Sequence, residues 1–511
     1  MYECPNCGGN LKFNIARQKL YCEHCETTVD PYAFHKEKDA EERVISVDDA
    51  GVEIPAGAEE EYEVTVFTCP QCGGEILSED TTAATFCSFC GSATILDSRV
   101  SRERKPSYII PFTKTKEDCE AAYAKMMRRA IFAPKELKDQ KHIEKFRGIY
   151  MPYWVYSFEK NGPASFPGKT TQRRGDYVYT KYYQLDCDVE EKYDGFTYDA
   201  SASFSDNLSN AIAPFDLKKG KPFAPTFLSG FYADTSDVDR YVYESDAENI
   251  VIKDACNRIA KQPGCRKYQV NEGTNLSPLR NAVRPTKCEA KLAMLPVWFL
   301  SYRKGDRVSY AVVNGQTGEM AADLPIDLKR YLLGSALLMI PLFILLNLFF
   351  TITPTTILWI AAVLALICAL ISGKQLANLF ARESGEDDKG LMAARLEQKK
   401  TGRNRSAQKQ SLAEAMAEAR ERQAMNRRGK ENTLSERIKV MLPTLAKPFL
   451  GIVLAVMIQI MNPVEDAIYY IGAFVCMGTV LWAIMDIIRH YNLLTTRKLP
   501  QFNRRGGDEN A

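Results

Sequence analysis

The sequence predicts a multidomain chain: two small metal-pinned β modules, an α+β domain built on antiparallel sheet, and a C-terminal region of four transmembrane helices. Three observations carry this reading. Eight of the 15 cysteines fall into two sets of identical spacing, aromatic residues alternate through the middle of the chain, and uncharged apolar runs gather after residue 330. At 511 residues the chain exceeds the common domain length of about 100–150 residues, so several folding units are expected. Hydrophobic residues at 46% and charged residues at 25% exclude collagen-like and wholly disordered classes.

Cys4, Cys7, Cys22 and Cys25 read C-x2-C-x14-C-x2-C, and Cys69, Cys72, Cys87 and Cys90 repeat that pattern 65 residues on. Pro5, Gly8 and Gly9 return as Pro70, Gly73 and Gly74 under the same shift, so the module is an internal repeat. Each C-x2-C is a tight turn whose small residues let backbone amides approach the thiolates. Two such turns supply the four soft ligands that tetrahedral zinc prefers. Four thiolates leave no place for a water, so each set is expected to hold a structural Zn2+, giving two sites. Iron is the alternative metal. The start Met1-Tyr2-Glu3-Cys4 shows no signal peptide, which predicts cytosolic, reduced thiols and argues against disulfides. His24 reads as a bystander.

The modules, residues 1–30 and 67–98, resemble transcription-factor-IIB-type and rubredoxin-like zinc ribbons. That resemblance implies small metal-pinned sheets that often bind nucleic acid, whereas the charge argues for protein contact or structural capping. Residues 1–98 carry six basic against nineteen acidic side chains, and 67–98 hold no Lys or Arg. Phosphate binding needs a basic surface that releases counterions. Lys12, Arg17 and Lys19 leave only the first module a weak nucleic-acid contact. Residues 31–66 form an acidic linker, broken at Pro55 and Gly57 and carrying Glu59-Glu60-Glu61.

Residues 104–328 read as the α+β domain. Tyr108–Phe112 predicts a strand, 115–131 a helix, and Met151–Phe158 opens a strand-rich stretch continuing through Tyr177-Val178-Tyr179 and Tyr182–Leu185. A helix near 246–261 precedes a hairpin of Leu295–Tyr302 and Val308–Val313, turning at Arg303–Asp306. Asn314-Gly315 and Thr317-Gly318 read as positive-φ turn positions. The alternating Tyr and Trp are expected to be the packed face of the sheet and not a ligand platform.

Gly162–Thr170 imitates a phosphate loop but has five residues between its glycines where the motif needs four, and Pro163 and Pro167 remove amides such a loop would use. Four histidines, His24, His35, His142 and His490, show no catalytic spacing. Cys119, Cys187, Cys256, Cys265, Cys288, Cys368 and Cys476 show no redox pair and read as buried small residues. No catalytic or cofactor-binding constellation emerges, so the chain reads as non-enzymatic.

Residues 332–350 are uncharged and rich in Leu, Ile and Phe, and a second span, 356–372, follows, making a hairpin over 331–373. Runs at 448–462 and 467–488 repeat the arrangement within 448–489, with Asn462-Pro463 at the bend. The intervening 374–447 carries seventeen basic and ten acidic residues, with a charged surface helix expected at 408–428. Lys329, Arg330, that loop and the 490–511 tail are basic, whereas the turn at 463–466 holds only Glu465 and Asp466. The positive-inside rule therefore places both termini in the cytoplasm of a multi-pass cell-membrane protein.

The paired ribbons, Met151-Pro152-Tyr153-Trp154, Leu295–Phe299, Val313–Glu319 and Asp323-Leu324-Pro325 together resemble a family of bacterial zinc-ribbon membrane proteins, often labelled primosomal-helicase-like. The helicase ATP-binding motifs of that label are missing here. The expected role is a zinc-binding membrane protein that presents its ribbons and α+β region to a protein partner. The alternatives are a membrane tether for DNA or RNA, and an enzyme with an unrecognised site in the α+β domain.

Overall fold

A computed structural model describes residues 2–34, 61–69, 75–77, 97–270, 277–349, 353–384, 388–393, 442 and 444–498. Most of the expected linker, Cys72, Cys87, Cys90 and the expected helix at 408–428 lie outside the described residues.

The first module is a three-stranded antiparallel sheet of β1 (Leu11–Asn14), β2 (Lys19–Cys22) and β3 (Thr28–Val29). Leu11, Phe13 and Leu20 sit at alternate positions and turn inward, as a period of two requires. β4 (Glu61–Thr68), β5 (Glu75–Leu77) and β6 (Asp97–Arg104) follow, with β4 in the middle. β4 starts inside the stretch read as linker, and β6 runs past residue 98, so these strands overrun the expected 67–98 module.

The remaining strands are β7 (Tyr108–Ile109), β8 (Arg147–Arg174), β9 (Tyr177–Asp199), β10 (Lys221–Pro222), β11 (Tyr232–Ala233), β12 (Lys287–Lys304), β13 (Arg307–Asn314), β14 (Met320–Ala322) and β15 (Arg497–Lys498). With β4 to β6 they make one sheet of twelve, ordered β10-β7-β12-β8-β11-β5-β4-β6, with β9 beside β8, β13 beside β12, and β14 and β15 beside β13. Pairing is antiparallel except at the short β8–β11 and β7–β12 contacts. Ala233 of β11 pairs with Leu77 of β5, so the second set of strands is continuous with the body. A module of about 30 residues buries too little apolar surface to stand alone without help, and joining a larger sheet supplies it.

Helix α1 (Lys116–Arg129) begins at a capping box in which Thr115 Oγ1 accepts from the Asp118 amide and the Asp118 carboxylate accepts from the Thr115 amide. Cys119, Tyr123 and Met127, four apart, are its buried stripe. α2 (Tyr241–Lys261) lies against the β8–β9 pair through Ala247, Val251, Ile252, Ala255 and Ile259. The phosphate-loop imitation falls wholly inside β8.

Tyr150, Tyr153, Trp154, Tyr156 and Phe158 are buried, as expected of a packed sheet face, but the aromatics near the tip of β9 are not: Tyr177 is 73% and Tyr182 79% exposed. Alternation read from sequence cannot tell a covered stretch of strand from one that overruns its cover. Cys288 is likewise exposed rather than buried, while Cys187 and Cys265 are intermediate.

Gly318 takes the expected positive φ of 86°, whereas Gly315 does not. Asn314 Oδ1 accepts the amides of Gln316 and Thr317 and shapes that turn. Gly315 is small for another reason: a Cβ there would lie 2.5 Å from Phe112 Cδ1 and 2.9 Å from Pro296 Cβ. Gly315→Ala is expected to overpack this core and cost about 1–3 kcal/mol, read as a lower Tm in thermal unfolding.

Among the described residues, four helices are long and apolar enough to cross a membrane: α3 (Leu328–Phe349), α4 (Pro354–Ser384), α5 (Thr444–Met461) and α6 (Asp466–Leu494). α4, α5 and α6 pack through small residues, among them Ala361, Ala362, Ala365, Ala455 and Ala473, which let backbones approach closely. Gly472 lies against Ile458 and Gly451 against Thr479. α3 has none of its apolar window buried. Asn462 forms the bend between α5 and α6 with φ 41°, a conformation that Asn tolerates, and its side chain accepts from Tyr469 OH.

The helix ends are tied to the sheet. Arg307 donates to the Leu493 and Thr496 carbonyls at 2.8 and 2.7 Å, Asn492 exchanges two hydrogen bonds with Ile326, and Arg382 meets Asp323 at 3.1 Å. At the start of α3, Arg330 donates to the Ala133 carbonyl at 2.9 Å.

Candidate metal centre

The N-terminal cysteines converge because two turns fold towards each other across β1 and β2. In the first, the Cys4 amide donates to the Gly9 carbonyl at 2.7 Å and the Gly8 amide to the Cys4 carbonyl at 2.8 Å. In the second, the Cys22 amide donates to the Thr27 carbonyl at 3.0 Å and the Glu26 amide to the Cys22 carbonyl at 2.9 Å. The residue after the second cysteine of each pair, Gly8 at φ 71° and Glu26 at φ 60°, is left-handed, which closes the turn. A side chain at Gly9 would meet His24 at 2.9 Å and the sulfurs of Cys7 and Cys22 at 3.4 Å.

The four ligand sulfurs of Cys4, Cys7, Cys22 and Cys25 all lie within 4.8 Å of one another. Cys4 and Cys25 are 3.5 Å apart and Cys7 and Cys22 3.4 Å apart, near the edge of about 3.8 Å for a tetrahedron of ~2.3 Å zinc–sulfur bonds. This group can hold a metal ion, and its all-sulfur donor set suits a soft or borderline cation.

Without a cation the thiols titrate against each other. The Thr27 hydroxyl, 3.1 Å from its sulfur, and the Thr27 amide lower the pKa of Cys25 to about 6. The Gly9 amide favours the Cys7 thiolate, yet shared hydrogen bonds with Cys25 and Cys22 hold Cys7 up at about 12. Four thiolates together need a divalent charge among them. His24 is exposed and outside the cluster, as its reading as a bystander expects. His142 lies edge-on to Tyr302, and burial lowers its pKa to about 4.

Of the second set, Cys69 is described: it follows the last residue of β4 and is fully buried.

Four contacts that the sequence did not signal dock the first module on the body. The Phe13 amide donates to the Ser229 carbonyl at 3.0 Å, Gln18 Nε2 to the Phe112 carbonyl at 2.7 Å, Tyr32 OH to the Pro222 carbonyl at 2.9 Å, and Thr226 Oγ1 to the Pro31 carbonyl at 2.7 Å. Phe13 and Phe227 rings lie 5.2 Å apart, and Leu11, Phe13 and Leu20 share one core with Ile109, Phe112 and Phe227. A single sequence carries no mark of such partners, because they are 94 or more residues apart.

A second polar cluster also escaped the sequence reading. Ser201 and Ser203 hydroxyls both donate to Asp234 at 2.5 Å, and burial raises that carboxyl to about 7. Asp199 is 2% exposed, and burial, reinforced by Asp206 and Asp388, raises its pKa well above the usual carboxylate range. A carboxyl raised in the folded state costs stability as pH climbs through the interval above its unfolded pKa of about 3.9. Asp199→Asn is therefore expected to raise Tm at pH 7 and leave it unchanged near pH 3, as thermal melts at the two pH values will show.

No family model and no solved structure matches the chain. It is similar to the uncharacterized protein YdjG of Bacillus subtilis (strain 168), with 27% identity over 333 residues, covering 64% of this chain and 90% of that protein.

Proposed function

We propose that this is a non-enzymatic zinc-binding protein of the cell membrane, one of the bacterial zinc-ribbon membrane proteins it resembles, which holds its ribbons and sheet domain at the cytoplasmic surface to engage a protein partner. The observation that carries the reading is the tie between bundle and body: Arg307, Asn492 and Arg382 fix the ends of α4 and α6 to the sheet. A body so fixed is presented at one face of the bilayer. The four-thiolate set, with no ligand position left for water or substrate, favours a structural metal over a catalytic one.

Charge supports the cytoplasmic placement. Lys329, Arg330, Arg382, Lys447, Arg489 and Arg497 all sit at the body-side ends of the spans, where the positive-inside rule puts the cytosol. Single-cysteine tags at either terminus are expected to react with an impermeant maleimide only after the cells are opened; labelling of intact cells would reverse the topology.

Crosslinking of intact membranes followed by affinity purification of the full chain tests the main claim, with a defined protein partner expected. Salt-sensitive retention of DNA or RNA by the detergent-solubilised protein, with no protein captured, would favour the tether reading instead.

A further inference from the structure

The distal part of the β8–β9 hairpin has no role in the core, the metal centre or the junction with the bundle. The outer edge of β8 is covered: β12 pairs with it from Arg147 to Glu159, and further out the Lys169 amide donates to the Tyr268 carbonyl at 2.7 Å. β9 pairs with β8 alone among the described residues, so its outer edge carries free amides and carbonyls at strand spacing. Every residue from Tyr177 to Gln184 is exposed, Tyr177 at 73%, Tyr179 at 56% and Tyr182 at 79%. Residues 168–184 hold Lys169, Arg173, Arg174 and Lys181 against Asp176 alone.

We infer that this edge takes up an extended, acidic segment of a partner protein by strand addition. The inference rests on the protein-partner reading above and names where, and by what chemistry, that partner binds. A peptide backbone matches the free amides and carbonyls, and its side chains fall alternately on both faces of the ribbon. On one face they meet Tyr177, Tyr179, Lys181 and Tyr183. On the other they meet Tyr182, with Lys169 directly across from it, and Val178, with Arg173 across. Tyr and Arg are the side chains that most often dominate binding energy at protein interfaces.

Two other occupants fit less well. A single nucleic-acid strand stacks its bases on successive open rings, whereas on the face shared by Tyr177, Tyr179 and Tyr183 the Tyr183 ring is already packed against Tyr268 at 4.9 Å. A second copy joined tip to tip would set four basic groups against four.

The test uses the full chain in nanodiscs, presented with a ribosome-displayed library of random dodecapeptides. Acidic peptides with alternating apolar residues are expected to be enriched. The exposed charge-reversal variant Arg173→Glu, Arg174→Glu, Lys181→Glu is expected to bind them about tenfold more weakly and to enrich basic peptides instead. Binding of the selected peptide is expected to fail when its alternate amides are N-methylated. Equal enrichment by the parent and the reversed tip overturns the inference, as does tip-dependent retention of a single-stranded oligonucleotide or a change of oligomeric state on reversal. If crosslinking captures the same partner with either tip, this site fails while the protein-partner function stands. If it captures no partner from either, the function itself fails.

Discussion

Replacing Cys22 by Ser is expected to remove one equivalent of bound metal from the protein and to release the N-terminal module from the sheet. Cys22 is fully buried, its sulfur lies 3.4 Å from that of Cys7, and its backbone ends β2, so the metal and the strand depend on the same residue. Structural zinc stabilises small modules by an apparent ~10–16 kcal/mol, more than a typical domain's whole stability of about 5–15 kcal/mol. The loss would not stay local. Phe13 and Leu20 would leave the core they share with Phe227 and Phe112, lowering the Tm of the body as well. Metal analysis of the purified chain should fall by one equivalent. An unchanged count in the Cys22 variant would remove the metal centre from the account.

Asp486→Leu is expected to destabilise the helix bundle by about 1–3 kcal/mol, because it takes the carboxylate partner from the half-buried Lys447. Asp486 of α6 accepts from Lys447 Nζ at 2.5 Å and from Arg489 at 3.4 Å, and Lys447 also lies over the Trp482 ring. The pair joins the start of α5 to the end of α6, so it closes that hairpin at its body-side end. The double variant Lys447→Leu with Asp486→Leu should recover most of the loss, since replacing both charges leaves nothing desolvated without a partner. Unfolding in mixed micelles with increasing SDS measures both. A double variant no more stable than the single would show that the charges are not coupled.

The metal set was legible in the sequence because its chemistry is local: two turns of fixed spacing specify four sulfurs whatever surrounds them. The spans were legible because a bilayer imposes a length and an apolar composition that few other environments demand. Strand positions from Met151 to Phe158 and from Leu295 to Val313 came from alternation alone. What stayed hidden was pairing at a distance. β8 and β9 read as several short strands and form one hairpin of 28 and 23 residues. Nothing near Leu77 announces Ala233 as its partner, nor does Gln18 point to Phe112. Gly315 was read as a turn glycine, yet its smallness answers a ring brought in from 203 positions earlier in the chain.

β15 begins three residues after α6 ends and pairs with Arg307 and Val308, the first residues of β13. So short a span gives the last helix no slack. Any tilt it adopts therefore has to strain that ladder or swing the sheet with it.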